Sequence, residues 1–233
     1  MAIRDNISNL DEVKDIIIAD IVLVLAFSST IAGGLPGFGN SPSTFVKTFA
    51  TFLPVAALGV TLSFVLHELM HKFAAQHYGA VAGFRTSYTG LLITLATGAF
   101  GFLLGIPGAT VIYSSRFTRK ESGVVSLVGP LTNLAVFGVF LVLLQVLNPA
   151  KNTYTYNALT FTLFISILLA FFNMLPIPPL DGSKVLAWNK FAYFSALGTI
   201  FLLMVLFTGI GIGTVLFFIA MALFFSFFYR LAL

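Results

Sequence analysis

The sequence contains no cysteine, so it can form no disulfide and no thiolate-based metal site. Any metal ion must be held by histidines and carboxylates. Charge is also scarce. Only 9% of the 233 residues are Asp, Glu, Lys or Arg, against 58% hydrophobic. A soluble domain carries about 25% charged residues to cover its surface. This composition excludes a water-soluble globule and reads as one all-α polytopic domain over 1–233, with the lipid bilayer as its partner. The net charge of +4 does not point to nucleic acid. Lys and Arg stand in short clusters beside apolar runs, which is how cytoplasmic loops are marked. The N-terminus lacks the basic start and small-residue cleavage site of a signal peptide. Residues 1–15 mix both charges and read as a retained cytoplasmic lead-in.

Apolar segments fall at about 16–33, 49–76, 91–106, 123–147, 157–175, 191–208 and 210–229. A helix needs roughly 20 residues to cross the hydrocarbon. The last two segments read as a C-terminal helical hairpin over 191–229, broken at the glycines of 208–213. The segment 91–106 stands apart: it is short, rich in Gly and Thr, and ends in Ile106-Pro107-Gly108. Val81–Tyr88 before it and Ala109–Tyr113 after it are strand-like. The turn chemistry predicts a β-rich strand–hairpin–strand insertion over 80–115 that dips into the membrane without crossing.

Topology bears on this choice. With a cytoplasmic N-terminus and a non-spanning 91–106, ten basic residues lie inside: Arg4, Lys14, Lys72, Arg85, Arg116, Arg119, Lys120, Lys184, Lys190 and Arg230. Only Lys47 and Lys151 lie outside. This bias favours six spanning helices with both termini cytoplasmic. Irregular backbone at membrane depth survives only when buried in protein or wetted, so the insertion should adjoin a polar site.

Residues 67–71 read His-Glu-Leu-Met-His. On a helix, positions i and i+4 share a face, so His67 and His71 can reach one metal ion. Glu68, beside the first ligand, can take a proton from water activated by that ion. On a soluble helix the pattern could be an ordinary amphipathic surface. Here it ends a long apolar run, where ionisable groups are costly unless used.

A catalytic zinc commonly has three protein ligands. Candidates for the third are Asp20 inside the first span, His77 past the motif, Glu121 in a basic loop, and Asp181. The six-span topology puts Asp181 on the same side as the two histidines; a spanning 91–106 would separate them. Asp20 is expected to snorkel to the interface, and His77 to be interfacial.

Three motifs stand in order: His67-Glu68-x-x-His71, Gly129-Pro130-x-x-Asn133, and Asn173-x-x-Pro176-x-Pro178-x-Leu180-Asp181-Gly182. Together they resemble the signatures of the site-2 protease family of intramembrane metalloproteases, in a compact form without PDZ or cystathionine-β-synthase-type modules. The resemblance implies one zinc ion per chain on His67, His71 and Asp181, with Glu68 as the base. It implies Asn173 as an oxyanion or substrate-binding group, a transmembrane-helix protein as substrate, and a prokaryotic plasma membrane as the location. Gly129 and Asn133 read as structural, with Asn133 expected to hydrogen-bond the irregular segment before Asp181. A membrane transporter of metal ions or protons could use the same His and Asp residues, but no paired inverted repeat is visible. An inactive relative that only binds membrane helices is the third reading.

Overall fold

The computed structural model describes residues 9–113, 117–207 and 213. The described chain is helical apart from one small sheet. Its elements run α1 (Asn9–Ile31), α2 (Gly34–Asn40), α3 (Pro42–Val60), a π-helical turn (Thr61–Val65), α4 (Leu66–His77), β1 (Val81–Thr86), α5 (Tyr88–Ala99), β2 (Gly108–Tyr113), α6 (Arg119–Leu147), α7 (Tyr154–Asn173), α8 (Asp181–Trp188) and α9 (Lys190–Phe207).

Among the described residues, four helices are long and apolar enough to cross a membrane: Pro42–His77, Arg119–Leu147, Tyr154–Asn173 and Lys190–Phe207. The first is α3, the π turn and α4 in unbroken succession. Helices α1 and α2, bent by 46° at their junction, make a fifth if taken as one span. The sixth expected span, 210–229, lies outside the described residues apart from Gly213.

Local chemistry sets several helix starts. Pro42 opens α3, where its missing N–H costs nothing. Thr118 and Glu121 form a reciprocal capping box at the start of α6: the Glu121 N–H donates to Thr118 Oγ1 at 3.2 Å, and the Thr118 N–H donates to Glu121 Oε2 at 2.7 Å. Glu121 is thus a cap, remote from any ligand role. Thr153 caps α7 one way, its Oγ1 accepting from the Tyr156 N–H at 3.2 Å.

Residues 80–115 depart from the sequence expectation at their centre. The two strands are present, but α5 stands between them where a hairpin was expected. Twelve helical residues rise about 18 Å, too short for a hydrocarbon core of about 30 Å. Ser87 caps α5 by accepting from the Gly90 N–H at 3.1 Å. Thr94 and Thr97 lie on one helical face and serve the returning chain, Thr94 Oγ1 accepting from the Ile106 N–H at 3.0 Å and Thr97 Oγ1 from the Leu104 N–H at 3.1 Å. The threonines of this Gly- and Thr-rich segment thus support a helix, because their hydroxyls satisfy an irregular backbone that has no water to turn to.

Strands β1 and β2 pair antiparallel, with Phe84 opposite Thr110 and Thr86 opposite Gly108. The outer edge of β1 is occupied by α1. The Phe84 N–H donates to Glu12 Oε1 at 3.2 Å, and the Thr86 N–H to Asp15 Oδ2 at 3.4 Å. Arg85 pairs with Asp15 at 3.5 Å. The expected lead-in of residues 1–15 is therefore, from Asn9 onward, part of α1 and a wall of the sheet.

Two apolar clusters flank the centre. Phe137, Ile167, Phe171, Met174, Ile200 and Met204 knit α6, α7 and α9 together. Ala19, Leu23, Val60, Phe64 and Phe84 join α1, α3, the π turn and β1. Polar contacts cross between them at the π turn, where Ser63 and Ser166 Oγ atoms lie 2.6 Å apart. Asp20 does not snorkel to an interface: its Oδ2 accepts from Thr61 Oγ1 at 2.7 Å, and Oδ1 is buried without a partner. An extra residue in the helical turn brings Thr61 and Asp20 together.

Candidate metal centre

Helix α4 follows the π turn directly and carries His67 and His71 one turn apart on its inner face, 3% and 7% exposed. Their Nε2 atoms lie 2.9 Å apart. Asp181, the first residue of α8, brings Oδ2 to 3.0 Å from His71 Nε2 and 3.3 Å from His67 Nε2. The three side chains come from elements more than 100 residues apart in sequence and are all buried.

Two glycines permit this convergence. A Cβ on Gly129 of α6 would lie 2.4 Å from His71 Nε2 and 2.6 Å from His67 Cε1, so the helix backbone forms one wall of the site. A Cβ on Gly182 would lie 2.2 Å from the Met174 carbonyl oxygen, so only glycine lets α8 begin against the end of α7. The glycine of each of the second and third motifs thereby shapes the cradle.

The donor chemistry fits a cation. His71 Nδ1 lies 2.8 Å from the Val125 carbonyl oxygen, which can only accept, so Nδ1 carries the hydrogen and Nε2 presents a lone pair. That lone pair faces His67 Nε2 and a carboxylate oxygen. Tetrahedral ligands about 2.0–2.2 Å from a zinc ion lie about 3.3–3.6 Å from one another, slightly wider than the 2.9–3.3 Å triangle here. Without a metal ion, burial pushes the Asp181 carboxyl up, but the His71 and His67 imidazoles, carrying a proton in the metal's place, outweigh it and hold it well below the usual carboxylate range.

Glu68 reaches β2. Its Oε2 accepts from the Thr110 N–H at 2.9 Å and from Thr110 Oγ1 at 2.7 Å. Asn173, at the end of α7, is half-buried and donates Nδ2 to the Leu169 carbonyl at 3.0 Å. His77 is exposed, with its ring against Tyr78. Asn133 is fully buried and makes no hydrogen bond to the segment before Asp181; both its amide atoms lack a partner, as does His67 Nδ1. Thr110 and the Val125 carbonyl were invisible to motif reading, because nothing in a strand-like Ala-Thr-Val run marks one hydroxyl as a partner for a distant glutamate.

The model described as Peptidase family M50 matches residues 145–206, which hold Asn173 and Asp181. A protein of Methanocaldococcus jannaschii is 41% identical over 140 residues, covering 60% of this chain and 72% of the relative. This chain belongs to peptidase family M50. The M50 assignment extends to bacterial relatives. Rip2 of Mycobacterium tuberculosis is 29% identical over 169 residues, covering 67% of this chain and 65% of the relative. YwhC of Bacillus subtilis is 28% identical over 157 residues, covering 58% and 69%. All three carry the name "Putative zinc metalloprotease". No solved structure matches the chain significantly. M50 is the family of the site-2 proteases, so membership agrees with the resemblance read from the three motifs.

Proposed function

We propose that this chain is a zinc-dependent endopeptidase that hydrolyses peptide bonds of transmembrane-helix substrates within the bilayer. One observation carries the reading: His67, His71 and Asp181 present three acceptor atoms within 3.3 Å of one another, one residue away from Glu68. The three would hold one zinc ion. When bound, zinc lowers the pKa of a coordinated water to about 7 and polarises a carbonyl oxygen. Membership of a peptidase family and the names of the relatives favour this over transport.

The chain's own residues do the rest. Glu68 accepts a proton from the attacking water and returns it to the leaving amine as the C–N bond breaks. Asn173 Nδ2 has a second hydrogen beyond the one given to Leu169, and that hydrogen serves a developing oxyanion. A substrate helix hides its carbonyls in internal hydrogen bonds and must unwind to be cut. Because α1 takes the Phe84 and Thr86 N–H groups on the outer edge of β1, the alternation of an antiparallel ladder turns the Gly108, Thr110 and Ile112 backbone groups to the outer edge of β2. Glu68 takes the Thr110 N–H on that edge at 2.9 Å, and the Gly108 and Ile112 groups on either side can hold an unwound segment extended. Both termini are cytoplasmic in a plasma membrane, and water reaches the site from that side.

The test is to purify the protein, measure bound zinc, and follow cleavage of transmembrane-helix substrates by wild type and Glu68→Gln. The expected outcome is zinc in both and cleavage only by wild type. Zinc-loaded wild type that leaves several such substrates intact would overturn the reading.

A further inference from the structure

Thr110 of β2 hydrogen-bonds the glutamate of the first motif. Its N–H and its Oγ1 both converge on Glu68 Oε2, at 2.9 and 2.7 Å, and Oγ1 also lies 3.2 Å from the Glu68 carbonyl oxygen. The hydroxyl has a single hydrogen, and the shorter contact claims it. Two donors on one carboxylate oxygen fix both the position and the plane of the group, while Oε1 is left outside the contact. Hydrogen bonds to an ionised acceptor are about twice as strong as neutral ones. Glu68 is 9% exposed, so water competes little for these bonds.

We infer that Thr110 is a positioning residue for Glu68, holding Oε2 so that Oε1 is presented to the reacting water. The inference rests on the protease reading above and deepens it. A glutamate side chain has three rotatable bonds, and a proton acceptor must be held within hydrogen-bond reach of its proton to be effective. Main-chain and side-chain donors from one residue achieve this without a second charge near the metal ligands. The sheet thereby has a second duty. The strand whose outer edge faces the site also sets the orientation of the base, so displacement of β2 moves both together.

The hydroxyl can be removed without disturbing the strand. Thr110→Val keeps the β-branched shape and the N–H but loses the Oγ1 donor; Thr110→Ser restores that donor. The experiment measures kcat and KM for one cleavable transmembrane substrate, with zinc content and unfolding midpoint, for wild type, Thr110→Val and Thr110→Ser. Thr110→Val is expected to lose on the order of tenfold to a hundredfold in kcat, with KM, zinc content and midpoint unchanged. Thr110→Ser is expected to recover most of that loss. Wild-type kcat in Thr110→Val would overturn the inference, as would a loss tracking KM, zinc or stability, or a Ser variant as impaired as Val. Active wild type with an unimpaired Val variant sinks this inference alone; inactive zinc-loaded wild type sinks the protease reading and this inference with it.

Discussion

Glu12 and Lys72 form an ion pair with Nζ 2.5 Å from Oε2, tying α1 to the residue that follows His71. The Glu12 side chain is 3% exposed and that of Lys72 17%. Through its other oxygen Glu12 also holds the Phe84 N–H, so a single carboxylate joins α1, α4 and β1.

The burial difference sets the sign of the effect when either partner is lost. Removing Lys72 strands a charge that cannot reach water, whereas removing the Glu12 charge strands one that partly can. Lys72→Met should therefore lower stability more than Glu12→Gln, by about 3–5 kcal/mol against about 1–3 kcal/mol. Thermal unfolding in detergent checks the order. Equal losses would show that the pair is effectively solvated.

Gly129→Ala puts a methyl group where the imidazoles already lie, 2.4 Å from His71 Nε2. One of the two rings has to leave, so zinc affinity should fall at least about tenfold, with helical content retained. Competition with a chelator measures the affinity, and circular dichroism the helices. Unchanged affinity would mean that α6 yields instead.

Asp181→Asn keeps the shape but removes the anionic ligand and should cost zinc affinity by about tenfold or more. In the metal-free protein the Asp181 carboxyl lies below its unfolded value of 3.8. Its contribution to stability is therefore complete above that value and lost as pH falls through the lower, folded one. Acid titration of the unfolding midpoint should show a decrease in wild type that Asp181→Asn lacks.

Native cysteines are absent, so single labels report topology cleanly. Lys120→Cys and Lys184→Cys should both react with an impermeant reagent only from the cytoplasmic face. External labelling at 120 would place the stretch before α6 across the membrane and overturn the orientation.

The convergence of the first and third motifs was legible because the charge count, read as a topology, expected both on one side, and His67, His71 and Asp181 do meet. The two strands were legible from β-branched runs. The helix between them was not. Periodicity says little about a Gly- and Thr-rich dozen residues, and the preference is decided by the Ile106 and Leu104 N–H groups that Thr94 and Thr97 accept. Asp20 was misplaced because its partner, Thr61, sits in a π turn, and hydropathy does not register one additional residue in a helix. Glu12 and Asp15 read as solvated charge until the sheet edge that they cover was in place.

That covered edge carries a consequence for stoichiometry. Among the described residues, carboxylates meet both edges of the sheet: Glu12 and Asp15 take the Phe84 and Thr86 N–H groups of β1, and Glu68 takes the Thr110 N–H of β2. On the protease reading, an extended guest on β2 would have to share that edge with Glu68, so no more than one could be held by each chain.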